Sequence, residues 1–113
     1  MFTIAQLRKL ALSFPEAIEA PHFEKTSFRV HQKIFASYDS ANNRACLKLS
    51  AIDQNVFATA DPAGIMPINN KWGKQGWTFF DLNTVHKDLM EDALTTAYCH
   101  VAPRKLAEQI RPS

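Results

Sequence analysis

The sequence predicts an α+β fold: an antiparallel β-sheet with N- and C-terminal helices packed on one of its faces. Three observations carry that prediction. From Thr26 to Ser50 apolar and polar side chains alternate between short polar turns, the period of half-buried strands. Apolar residues recur at helical spacing before and after that stretch. No repeat, low-complexity tract or linker divides the 113 residues, so a single domain spanning 1–113 is expected.

Taken in order, Thr3 reads as an N-cap, with Gln6 three residues on to complete a capping box. Ile4, Leu7, Leu10, Ala11 and Phe14 then form one helical stripe, which leaves Arg8 and Lys9 outward and ends at Pro15. Glu16 to Lys25, interrupted by Pro21, reads as a connection whose Phe23 plugs an edge of the core. The first two strands of Thr26–Ser50 meet at a two-residue turn, His31-Gln32 or Gln32-Lys33. Either turn puts Phe28, Val30 and Phe35 on one face and Arg29, His31, Ile34, Ala36 and Tyr38 on the other. The third strand sets Ala45, Leu47 and Leu49 against Cys46, Lys48 and Ser50.

Ser50 is placed to cap a short helix running through Asp53, Val56 and Phe57. Asp61-Pro62-Ala63-Gly64 has turn composition. Ile65–Ile68 contains Pro67, which confines a strand there to an edge. Asn69 to Gly76 reads as a polar loop carrying Lys71, Trp72 and Lys74, and Trp77 to Leu82 as a further strand. Asn83 or Thr84 is the expected cap of the longest helix, with Leu89, Met90, Ala93, Leu94, Ala97, Tyr98 and Val101 as its apolar stripe. Pro103 breaks that helix and suits the start of a last one, Arg104 to Ile110.

Composition narrows the function classes. The chain is 46% hydrophobic and 21% charged, in the range of globular proteins. A formal charge of +2 permits a polyanionic partner without requiring one. Arg8 and Lys9 interrupt the apolar run that a signal peptide needs, and no window reaches the length of a membrane span. The expectation is a cytoplasmic monomer with no membrane association. Cys46 and Cys99 read as reduced, buried thiols.

The commoner chemistries lack their residues. His22, His31, His86 and His100 stand at no metal-ligand spacing, and no serine lies in a nucleophile elbow. Gly64, Gly73 and Gly76 match neither a P-loop nor a dinucleotide fingerprint. Cys46 shares the polar parity of its strand with Lys48, the one setting that could favour a thiolate. Neither an enzyme nor a cofactor is expected.

What remains is a basic and aromatic constellation: Arg29, His31, Tyr38 and Lys48 on the open face of the sheet, with Lys71, Trp72 and Lys74 on the loop beside it. Cations neutralise phosphates and aromatic rings stack on bases, so interleaving the two suits nucleic acid. A solvated sheet face carrying lysine and arginine for solubility, with Trp72 or Trp77 covering the core's edge, has the same composition.

From Leu7 to about Leu106 the order of segments resembles the MmcQ/YjbR-like family of small bacterial proteins. The likeness runs through LALSFPEAIEAPHF, SFRVHQKIFASY, ACLKLS, KWGKQGWTFFDL and AYCHVAPRKL. It implies a CyaY-like fold and, by analogy to a double-wing transcription-factor domain, DNA binding on the sheet. The residues implied are Arg29, Lys33, Lys48, Lys71, Trp72, Lys74 and Trp77. Two positions depart from the family's habit: the hairpin turn, often glycine-rich, is His31-Gln32, and a position often Ser before Tyr is Ala97. The sequence thus supports a non-enzymatic DNA-binding protein. The alternative is a module for a small anionic ligand or a protein partner, with an aromatic pocket between Trp72, Trp77 and Arg29.

Overall fold

A computed structural model describes residues 2–112. It contains five helices and six strands in the order α1 (Ile4–Ser13), β1 (Ala17–His22), β2 (Lys25–Val30), β3 (Lys33–Asp39), β4 (Arg44–Lys48), α2 (Ala51–Ala60), β5 (Ile65–Pro67), α3 (Lys71–Lys74), β6 (Trp77–Asp81), α4 (Lys87–Val101) and α5 (Arg104–Ile110). The strands form one antiparallel sheet in the order β1-β2-β3-β4-β6-β5, so β6 slots between β4 and the short edge strand β5. The architecture is α+β.

Local chemistry sets most of the boundaries. Thr3 and Gln6 close the capping box of α1: the Thr3 Oγ1 accepts from the Gln6 N–H at 3.1 Å, and the Gln6 Oε1 accepts from the Thr3 N–H at 2.8 Å. Ser50 caps α2 through the Asp53 N–H. The longest helix begins later than expected, at α4, where the His86 ring nitrogen rather than Asn83 or Thr84 caps the Asp88 N–H. Asn83 instead accepts from Asn43, tying the β3–β4 turn to the chain leaving β6.

The core lies between the sheet and helices α1, α2 and α4. Phe28, Ala36, Ala45, Leu47 and Phe80 point into it from the strands and Leu7, Phe57, Met90, Leu94 and Tyr98 from the helices, all buried. At its centre the Tyr98 ring stacks on Phe14 at 4.7 Å and meets Phe35 edge-on at 5.4 Å. The Tyr98 hydroxyl donates to the Pro15 carbonyl at 2.6 Å, which ties α4 to the end of α1. Two stretches 83 residues apart are thereby joined.

Three expectations are corrected. Glu16–Lys25 is not a plain connection: it holds β1, which pairs with β2 from Ala17↔Val30 to His22↔Lys25. Its polar sequence and Pro21 suit an edge strand, where a missing N–H leaves no gap in the ladder. Phe23 does not plug the core; it sits at the tip of the β1–β2 hairpin, with φ 57° and 93% exposed. Finally, Ala36 and Tyr38 face the core, because a β-bulge opposite Phe28 and Arg29 makes Phe35 an extra residue. Arg29 pairs with Ile34 and Phe28 with Ala36. A bulge shifts the alternation by one residue, so Phe35 and Ala36 are both buried. The turn itself is His31-Gln32, with both residues at positive φ, the left-handed pair that a tight hairpin needs.

Candidate functional site

The sheet's other face carries no helix layer. Its floor is the row Ala20–Ser27–Ser37–Cys46–Phe79–Met66, read across five of the strand pairings. Above that row lies a cleft of about 410 Å³ lined by His22, Lys25, Ile34, Ser37, Cys46, Ile68, Trp72, Trp77 and Phe79. Its walls are mostly apolar, with two indoles and a phenyl ring on one side and the β1–β2 hairpin on the other.

Two glycines hold the indole wall in place. A Cβ on Gly73 would stand 1.7 Å from the Ile68 carbonyl oxygen, and one on Gly76 would stand 1.8 Å from that of Leu49. Gly76 also has φ +104°, the left-handed region that favours glycine. Close backbone approach at these two points seats α3 against Ile68 and starts β6 beside the end of β4, so Trp72 and Trp77 converge. Gln54 of α2 secures the same segment: its amide nitrogen lies 2.9 Å from the Gly73 carbonyl and 3.0 Å from the Thr78 hydroxyl. The predicted Asn69–Gly76 loop thus contains a single helical turn, α3, capped by the Asn70 side chain.

The cations foreseen on this face are distributed less freely than their parity suggested. Arg29 is turned along the sheet, donating to the Ser27 hydroxyl at 2.9 Å and to the Pro21 carbonyl at 3.2 Å, and it does not line the cleft. Lys48 donates to the Gln75 carbonyl and lies 5.6 Å from the Trp77 ring. Lys71 sits 5.5 Å from the Trp72 ring, while Lys74 and Lys33 are exposed, Lys33 at the β2–β3 hairpin end. His31 lies outside the cleft and bonds to Glu16 at 2.9 Å. Trp72 and Trp77 are the two predicted residues that line the cleft, with Lys48 and Lys71 beside their rings.

Several lining residues escaped the sequence reading. His22 and Lys25 enter through β1 and its hairpin, which went unread as a strand. Arg44 on β4, opposite Asp81 and outside the cleft lining, sits over the Phe79 ring at 3.8 Å from its centroid and 3.6 Å from Asp39. Phe79 follows from the strict alternation of Trp77–Asp81, the one signal that could have placed it in the cleft.

Electrostatics argue against a nucleophile here. Burial pushes the Cys46 thiol up to about 11, despite the opposing influence of Lys25 and Arg44, so it stays protonated near neutrality. Burial likewise raises the Cys99 thiol and the Tyr98 hydroxyl. Asp39 is lowered, chiefly by the hydrogen bond from the Asn42 amide. Among the described residues no three His, Cys, Asp or Glu side chains gather as a metal site, and no helix is long and apolar enough to cross a membrane.

A second hollow, of about 480 Å³, lies behind α3 among Gln54, Pro67, Ile68, Asn69, Asn70, Lys71 and Lys74, and no aromatic ring lines it.

The YjbR family model matches residues 12–100. The chain belongs to the YjbR family. A crystal structure of Deinococcus radiodurans protein DR2400, a DUF419-domain protein, is similar with a TM-score of 0.77 and 25% identity. The likeness covers 89% of this chain and 79% of that one. No curated protein matches the chain in sequence. Within this YjbR domain the matched span runs from the last residues of α1 into the last turn of α4 and includes every residue that lines the cleft.

Proposed function

We propose that this YjbR-family chain is a non-enzymatic binding module that seats a small ligand with a flat apolar group in the open-face cleft. The observation that carries this reading is the convergence of Trp72, Trp77 and Phe79 around a concave space of about 410 Å³. Small-ligand sites are concave, mostly apolar and typically about 300–1,000 Å³, with a few polar groups at their edge. Here the polar edge is His22, Lys25 and Ser37. The module acts as a monomer in the cytoplasm.

The test is an NMR titration with a library of small aromatic fragments. Backbone amide shifts should concentrate at Ile34, Cys46, Trp72, Trp77 and Phe79, and should vanish in Trp77→Ala. Shifts scattered over both faces, or none at millimolar fragment, would sink the reading.

DNA binding is the second reading, favoured by the exposure of Lys33, Lys71 and Lys74, with Lys71 beside the Trp72 ring. With Arg29 and Lys48 already bonded within the protein, it rests on those three cations and on Lys25. Binding measured by fluorescence anisotropy should then show a log–log salt slope of no more than about 4, near 0.9 per phosphate contact. Absence of binding to duplex and single strands at low salt would remove it.

A further inference from the structure

The cleft is chemically lopsided. One side is Trp72, Trp77, Phe79 and Ile68; on the other the hairpin brings His22 and Lys25 over the β3–β4 floor. The cations of this face differ in whether they are already used. Arg29 is bonded to Ser27 and Pro21, Lys48 to the Gln75 carbonyl, and Arg44 lies on Phe79 beside Asp39. Lys71 and Lys74 are exposed too, but they line the second hollow. Lys25 is the cation that lines the cleft, it is exposed, and no carboxylate among the described residues comes within ion-pair distance of it. Of the nearby carboxylates, Asp39 lies 3.6 Å from Arg44 and also feels the charge of Lys25, and Asp81 stands opposite Arg44 on β6, so Lys25 is partly balanced at longer range without a direct ion pair.

An ammonium group at one end of an aromatic slot is complementary to a ligand with an anionic end and an apolar ring body. We infer that the cleft selects aromatic carboxylates, with the ring between Trp72, Trp77 and Phe79 and the carboxylate at Lys25. This rests on the binding reading proposed above and adds its polarity: which end of the ligand lies where, and which residue discriminates. Lys25 is a specificity residue in this scheme, and the rings supply the affinity. A partly exposed ion pair contributes modestly and is screened by salt, so the discrimination is a factor of about five.

The experiment compares 2-naphthoate with 2-naphthamide, which has nearly the same shape without the charge. Both are titrated by NMR into the wild-type protein and into Lys25→Gln and Lys25→Glu. Lys25 is exposed at the start of β2, so both variants should fold, which unchanged amide spectra away from the hairpin will show. The expected result is roughly fivefold tighter binding of the acid to wild type. That preference should shrink in raised salt, disappear in Lys25→Gln and reverse in Lys25→Glu. Equal binding of acid and amide to wild type, or a preference that survives Lys25→Gln, overturns the inference while leaving the cleft as a binding site. If neither compound binds at millimolar concentration, the inference and the reading beneath it both fall.

Discussion

Phe79 and Phe80 are neighbours on β6, yet they belong to different parts of the molecule. Phe80 is fully buried and meets Phe57 of α2 edge-on at 6.2 Å between ring centroids. Phe79 looks the other way, half-buried in the cleft with Arg44 over its ring. The same contrast runs through the sheet. The helix-covered face is closed by aromatic packing, with Tyr98 at its centre. The open face keeps its rings uncovered, with Trp72 48% exposed. Because strand side chains alternate, one residue type serves both settings, closing the core on one face and lining a cleft on the other. Large rings left accessible in a concave setting are costly to solubility unless they serve contact with something else.

The contrast predicts that stability and binding separate by face. The largest effect should come from the point where the two faces share a support. Gly76→Ala places a Cβ against the Leu49 carbonyl in left-handed backbone. It should cost on the order of 5 kcal/mol, enough to unfold a domain of this size, as read by urea denaturation. Gly64→Ala is its control. The nearest atom there is the Asp61 carboxylate, which can move, so a much smaller loss is expected.

Next comes the pair on β6. Phe80→Ala should cost about 3–5 kcal/mol by removing a buried ring, whereas Phe79→Ala should cost less than half as much and weaken fragment binding instead. Equal losses of stability at the two positions would dissolve the distinction between the faces. Tyr98→Phe tests a polar tie at the centre of the core. Losing the donor to the Pro15 carbonyl should cost about 1 kcal/mol in thermal or chemical unfolding. Trp72→Ala should leave the unfolding midpoint within about 0.5 kcal/mol of wild type while abolishing ligand-induced shifts.

The smallest effect on stability, and a direct report from the cleft floor, is the chemistry of Cys46. Its thiol is raised from an ordinary 9.0 to about 11 by burial. At pH 8 the thiolate fraction is therefore roughly a hundredfold below that of an ordinary thiol, and alkylation by iodoacetamide should be slowed accordingly. The rate should climb with each pH unit up to about 11. Stability follows the same sign. Below pH 9 folded and unfolded chains are both protonated, so nothing changes. Between 9 and 11 only the unfolded thiol ionises, and the folded state loses ground as pH rises. A bound ligand over the floor should slow the labelling further; Cys99, outside the cleft, should not respond.

Much of this was legible in residues whose neighbours in sequence decide their state. The Thr3–Gln6 capping box, the Ser50 cap, the edge placement of Pro67 and the burial of Phe28, Val30 and Phe35 all follow from local chemistry and alternation. The misreadings have specific physical sources. The strand Ala17–His22 hides because an edge strand needs little burial and tolerates Pro21. Ala36 and Tyr38 change face because one bulged residue, Phe35, resets the alternation, and nothing in IFAS announces a bulge. The sequence pairs Trp72 with Trp77, whereas parity also puts Arg29 on the open face, where its side chain lies along β1 and outside their cleft.

By itself the sequence determined the element types, the apolar stripes that make the core, and the presence of a second, differently built sheet face. These are consequences of periodicity and capping, which act over a few residues. Tertiary structure alone decided that the second face is concave and which cation it holds. The cleft joins His22 and Lys25 from the β1–β2 hairpin to Ile68 and Trp72 near the opposite edge, residues 43 to 50 positions apart. Their meeting depends on strand order and on two glycine contacts with distant carbonyls. Side-chain hydrogen bonds then chose among the lysines and arginines. Arg29 and Lys48 found carbonyl acceptors nearby, and Lys25 was left facing the cleft.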